Sequence, residues 1–161
     1  MWDYQPKNEG TKGESKFIKL QDGESVTGVI RGEKKEYHVV WDKVNKRSVT
    51  VEPYTDGAKF RFKTNFVMKD GLAPKILEQG WMVYSAIKDL HKAGYDMQNT
   101  WVRISRSGKG LDTSYTVLPM PEFKLSESEK QAVEALVLND LPVDPPANKE
   151  PEHQVNEDIP F

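Results

Sequence analysis

The chain has 161 residues and a mass of 18.4 kDa, room for one domain of ordinary size. With 37% hydrophobic and 30% charged residues it has no apolar run near the roughly 20 residues that a membrane helix needs. The absence of cysteine excludes disulfides, thiol nucleophiles, Cys-ligated zinc and iron–sulfur clusters. The opening Met-Trp-Asp-Tyr-Gln-Pro-Lys lacks the basic and apolar blocks of a signal peptide, so a cytoplasmic setting is expected.

The net charge of −2 hides an asymmetry. Residues 1–124 carry 21 Lys and Arg against 16 Asp and Glu, whereas residues 125–161 carry 2 against 9. A basic body with an acidic tail suits a polyanion-binding surface and a separate interaction segment. The same split also suits a tail that only aids solubility.

In chain order, residues 1–15 read as a loose lead-in. Phe17, Ile18 and Leu20 begin a strand-like stretch, and Gln21–Glu24 reads as a turn. Ser25–Arg31 alternates as a strand, and Glu36–Trp41 is rich in β-formers. Asn45-Lys46 is a turn, followed by a short strand over Arg47–Glu52 and a second turn at Tyr54–Gly57. Lys59–Met68 alternates cleanly, with Phe60, Phe62, Thr64 and Phe66 against Lys59, Arg61, Lys63 and Asn65. Helical spacing of Ile76, Gly80, Val83, Ile87 and Leu90 predicts a helix over 75–93, stopped by Gly94. Thr100–Arg106 and Thr113–Leu118 then flank the hairpin loop Ser107–Asp112.

This order predicts a mainly β protein. Residues 16–124 are expected to form a five-stranded OB-fold barrel with an extra hairpin near 43–57 and one helix between the third and fourth barrel strands. Ser126 and Glu129 make a capping-box pattern, which predicts a short amphipathic helix over 125–138. Five of the ten prolines lie between residues 142 and 160, so 139–161 reads as a disordered acidic tail.

No catalytic pattern emerges. His38, His91 and His153 lack metal-ligand spacing. Gly108-Lys-Gly110 is too short for a phosphate loop and leads into a strand rather than a helix. The expectation is a non-enzyme without metal or cofactor.

The interleaving of basic and aromatic residues is more informative, because single strands are held by cationic grooves and by aromatic faces on which bases stack. Lys34-Lys-Glu-Tyr-His-Val-Val-Trp41, Lys59–Phe66 and Trp101–Arg106 with Lys109 are three such stretches. Phosphates are expected along Arg31, Lys34, Lys35, Arg61, Lys63, Arg103, Arg106 and Lys109. Tyr37, Trp41, Tyr54 and Trp101 are the stacking candidates. The phenylalanines of 60–66 fall on the alternating apolar face and also read as core, and Trp81 and Tyr84 read as helix packing.

The segment Glu157-Asp-Ile-Pro-Phe161 joins two acidic residues to a compact apolar end whose ring suits a partner's apolar pocket. Asp158-Ile-Pro-Phe161 closely resembles the acidic tip of bacterial single-stranded DNA-binding proteins. Phe17–Glu33, Lys59–Asn65 and Tyr95–Pro119, about half the chain, resemble the single-stranded DNA-binding proteins of tailed phages. The resemblance implies an OB fold that coats single-stranded DNA without strong sequence preference in replication, recombination and repair. It also implies a tip at Glu157, Asp158, Ile159, Pro160 and Phe161 that recruits replication proteins, in a phage-encoded monomer or dimer acting in the cytoplasm of a bacterial host. Some phage relatives carry a Cys-rich zinc insertion where Lys43–Gly57 stands here without cysteine, so a plain hairpin is expected. Two other readings stay open: a replisome adaptor with little DNA binding, and an OB-fold RNA binder.

Overall fold

The computed structural model describes residues 15–148. Six strands and two helices follow one another as β1 (Ser25–Asp42), β2 (Arg47–Val51), β3 (Lys59–Met68), β4 (Pro74–Gln79), α1 (Trp81–Lys92), β5 (Thr100–Ser107), β6 (Ser114–Lys124) and α2 (Glu127–Glu134). The sheet is antiparallel throughout, in the order β4-β3-β1-β5-β6, and β2 pairs with the far end of β1. Its outer strands β4 and β6 do not pair with each other among the described residues. The mainly β class and the extra hairpin match the sequence reading, but the sheet is six-stranded and not closed.

The two expected strands 25–31 and 36–41 are one strand of 18 residues. Gly32, at φ +81°, absorbs a bulge that shifts the β1–β3 register between Arg31 and Lys34. Glycine takes this left-handed conformation without a Cβ clash, so the strand bends instead of ending. The bend lets β1 pair first with β5, then with β3, and finally with β2 alone beyond the Val39–Lys59 pair.

Residues 75–79 do not begin the helix. Ile76 and Leu77 are both buried, and the segment pairs with β3 from Phe62–Gln79 to Val67–Pro74. The lead-in segment also bridges here: Ile18 N–H donates to Ile76 O at 2.9 Å and Ile76 N–H to Lys16 O at 2.6 Å. Adjacent apolar residues buried on both faces satisfy a strand as well as a helix, and tertiary pairing decided between them. The helix begins after Gly80, whose backbone is extended.

Two apolar clusters follow from the alternation. Val26, Ile30, Phe62, Phe66, Leu77, Val83, Val102 and Ile104 fill the concave side of the sheet beneath α1. Val29, Val67, Trp101, Leu125 and Val133 form a second cluster on the outer side, with Leu136 and Leu138 packed against it. The helix α2 that supplies Val133 carries the expected capping box: Glu129 N–H donates to Ser126 Oγ, and Ser126 N–H to Glu129 Oε1.

The expected tail does not leave the body at residue 139. Residues 139–148 run along the outer side of β3 and reach β2. Leu141 is buried, Lys63 Nζ donates to Pro142 O at 2.6 Å, and Ala147 N–H donates to Thr50 O at 2.8 Å. Asn148 Oδ1 then accepts from Glu52 N–H at 2.9 Å. The tip at Glu157–Phe161 lies outside the described residues.

At the other edge, the β5–β6 register breaks between Thr100 and Val102, whose partners are Lys124 and Pro119. Pro119 and Pro121 cannot donate to a ladder, and prolines within sheets belong on edge strands such as this one.

Candidate nucleic-acid interface

An open cavity of about 560 Å³ lies where the start of β3, the end of β4 and the N-terminus of α1 meet the start of β6. Lys59, Phe60 and Arg61 line one side, Trp81 and Met82 another, and Tyr115 a third. A smaller cavity of about 300 Å³ shares Arg61, Gln79 and Tyr115 with it and extends toward Val39 and Ser48, making one cleft.

The aromatic residues of this cleft are in contact. Phe60 meets His38, Trp81 and Tyr84 edge-to-face at centroid distances of 5.7, 5.6 and 4.8 Å. Trp81 is nonetheless 57% exposed, so part of its indole faces solvent. Alternation along β3 places Phe60 on the concave side, and the absence of a side chain at Gly80 leaves room for Arg61. A Cβ at Gly80 would stand 3.1 Å from Arg61 Nη1. Arg61 forms no ion pair among the described residues, and the one carboxylate lining the cleft, Glu78, accepts from the Tyr37 hydroxyl.

The hairpin of β1 and β2 projects past this end of β3. It carries Trp41, 60% exposed, and the following turn carries the fully exposed Tyr54. Trp81 and Met82 stand exposed on α1, and Leu111 in the β5–β6 loop. Large exposed apolar groups therefore gather on the hairpin arm, on the start of α1 and on the β5–β6 loop.

The sequence-chosen residues divide into separate groups. Lys35, Tyr37, Arg61 and Lys63 leave β1 and β3 on the face opposite Phe60, where Lys63 Nζ lies 5.4 Å from the Tyr37 ring centroid, and the Arg61 guanidinium turns from there to Gly80 at the cleft. Part of that face is covered by residues 138–142, which share a cavity with Lys35 and Asn65. Tyr37 is buried there, and its hydroxyl donates to Glu78; burial, then that bond, push the phenol above its ordinary value. Lys34 lies 3.0 Å from Glu36, and this bond raises its pKa above the usual lysine value. Arg103 and Lys109 are exposed on β5 and in its loop.

Four choices are corrected, the first being Tyr37, whose buried ring under Lys63 has no free face for a base. Trp101 is 1% exposed, with its indole N–H donating to Glu129 and the Lys69 ammonium 4.4 Å from its ring centroid, so it has no free face for a base. Arg31 Nη1 donates to Gln98 O at 2.6 Å and to Asn99 Oδ1, and Nη2 lies 3.8 Å from Glu134. Arg106 donates to Leu20 O at 2.7 Å and to Thr113. Both arginines brace loops against the sheet instead of facing solvent.

The sequence reading passed over Lys59, Phe60, Trp81 and Tyr115 as site residues. No sequence signal marked Trp81, because the helix expected over 75–93 sets it inside the helix, whereas the helix starts at Trp81 and leaves its ring without a preceding turn. No family model, curated protein or solved structure matches the chain.

Proposed function

We propose that this chain binds single-stranded DNA, laying the strand through the cleft of Phe60, Arg61, Trp81 and Tyr115 between the hairpin arm and the β5–β6 loop. The observation that carries the reading is a guanidinium without an ion pair among the described residues, beside a half-exposed indole in an open cavity. Arg61 and Lys59 meet phosphates, and Trp81 with Trp41 offers π-faces that any base can stack on. Such contacts carry no base code, so binding has little sequence preference, and the protein acts by coating rather than by catalysis.

The element order supports an OB-type relation, with β1, β3, β4, β5 and β6 as its five strands, α1 between the third and fourth, and β2 as the added hairpin. In that reading the protein serves replication, recombination and repair, and the Glu157–Phe161 segment recruits replication proteins through its Ile-Pro-Phe side chains.

Fluorescence titration with poly-dT at two salt concentrations tests the proposal, using the four tryptophans as the signal and a duplex of equal length as the control. Saturable quenching that weakens with salt and is absent with duplex supports it. No quenching and no gel shift at low salt refutes it.

A further inference from the structure

A second cavity, of about 460 Å³, opens beneath the middle of α1 on the concave side of the sheet. Its floor is apolar, built from Ile30, Phe62, Ile87 and Met97. Lys34, Lys88 and His91 stand at its rim, with Glu33 as the one carboxylate in its lining. We propose that this cavity is a second nucleotide subsite, which takes one unstacked base of the same strand while neighbouring phosphates meet Lys88 and His91. This inference rests on the single-strand reading and extends the path of the strand along α1.

Three observations carry it. First, the cavity adjoins the cleft, with one aromatic residue between them. The Tyr84 ring contacts Phe60 at 4.8 Å and Trp81 at 5.6 Å on the cleft side, and it also forms a wall of the second cavity. A strand that leaves Trp81 along the helix passes the Tyr84 ring before it arrives here.

Second, the rim charge is complementary to phosphate. Lys88 Nζ lies 5.5 Å from the Tyr84 centroid and forms no ion pair among the described residues. The nearby Glu36 is already engaged, accepting from the Tyr84 hydroxyl and lying 3.0 Å from Lys34. Lys88 and His91, one turn apart on α1, are thus left to face an incoming anion.

Third, the interior suits the flat faces of a base. Apolar side chains form the floor, while the polar groups in the lining are internally satisfied. Gln98 is bonded twice to the Gly32 backbone, and Thr64 Oγ1 donates to Glu33 O. A base therefore enters by its faces and leaves its polar edge toward the opening, where sequence is not read.

The test uses the full chain and two dT lengths. A short oligomer of about 4 nucleotides fills the cleft alone, whereas one of about 16 nucleotides reaches the cavity, the limits of site size for a single OB fold. In the exposed double variant Lys88→Ala/His91→Ala, affinity for the long oligomer is expected to fall about tenfold. Its log affinity–log salt slope becomes shallower by about 0.7, the one phosphate that Lys88 neutralises. The short oligomer binds as before. Ile87→Phe, which fills the cavity without changing charge, should shorten the occluded site while leaving the short oligomer unaffected. An unchanged slope and site size on the long oligomer overturns the subsite, as does an equal loss on both lengths. Intact DNA binding with loss of self-association would reassign the cavity to an acidic protein segment and also overturns it. If the wild type binds neither length, the cleft reading falls with it; if it binds both and the variants change nothing, only the subsite falls.

Discussion

Asn65 and Asn139 hold each other by two reciprocal hydrogen bonds: Asn139 N–H donates to Asn65 Oδ1 at 2.8 Å, and Asn65 Nδ2 donates to Asn139 O at 2.9 Å. Asn139 Nδ2 adds a bond to Pro74 O at 3.1 Å. One buried amide on β3 thus anchors the chain that leaves α2. Replacing Asn65 by Ala leaves a backbone N–H and a C=O without partners, at a cost of about 1–3 kcal/mol. The expected result is a lower urea midpoint and faster proteolysis within residues 139–148. Unchanged proteolysis would show that Leu141 alone holds the segment.

The segment from Asn139 to Pro142 reaches Lys63 and brings Asp140 to a face that also carries Lys35. A chain ending at Leu138 uncovers this face and loses the acidic segment. Its affinity for dT is expected to rise at low salt, with the difference shrinking as salt increases, because like-charge repulsion is screened. Titration of both chains at two salt concentrations measures this. Equal affinity at low salt contradicts competition between the segment and DNA.

Trp81 and Trp101 should behave oppositely on substitution. Trp81→Ala removes a half-exposed ring, so it should keep the thermal midpoint and weaken dT binding by about 1–3 kcal/mol. Trp101→Ala empties a site that is 1% exposed, and should cost about 3–5 kcal/mol of stability. Paired thermal melts and titrations separate the two. Weakened binding by folded Trp101→Ala alone would place the bases on the wrong side of the sheet.

Strands β1 and β3 approach each other closely at Gly28. A Cβ there would stand 2.5 Å from Phe66 Cε2 and 2.5 Å from Val67 O, and both neighbours are buried. Gly28→Ala has no space into which the sheet can relax, so the expected outcome is loss of cooperative unfolding, read by near-ultraviolet circular dichroism. Native-like stability would show that β1 slides outward at no cost.

Three of the four carboxylates held below their ordinary values among the described residues bear on acid stability, the fourth, Asp42, being the most fully solvated. The Ser126 backbone N–H, foremost, holds Glu129 below the ordinary 4.5; the Tyr84 hydroxyl, then Lys34, do the same for Glu36; Asn99 holds Asp96 below 3.8. Each group binds fewer protons folded than unfolded, so stability rises with pH across the window between the two values. The contribution is complete above about pH 5 and is lost as the pH falls through the folded values. These groups are largely solvated, so the amplitude is small and falls with salt. Urea midpoints between pH 5 and 3 should drop less in Glu129→Gln than in the wild type. Parallel curves would deny Glu129 a share.

The strands were legible where side chains alternate cleanly, as in β3, and the capping box of α2 was readable from Ser126 and Glu129 alone. Residues 75–79 were not, because Ile76 and Leu77 fit both periodicities and pairing with β3 and the lead-in decided the matter. The site was legible in composition but not in orientation. Arg61 and Trp101 both look like strand-borne binding groups, yet only the packing of α2 reveals that Trp101 faces inward. Trp81 shows the converse: a helix-borne aromatic read as packing lies half in solvent, because nothing precedes it on that face.

Pro119 and Pro121 have a consequence for crowding. Copies of this chain lined up on one strand would bring their sheet edges within reach of each other, the circumstance in which exposed edges fuse chains into continuous β ribbons. Two missing amide hydrogens along β6 deny a neighbour an unbroken zipper there. At the other side, Ala147 and Asn148 already occupy the bonding groups of Thr50 and Glu52 on the arm. Copies crowded side by side are thus expected to stay separate chains rather than join edge to edge.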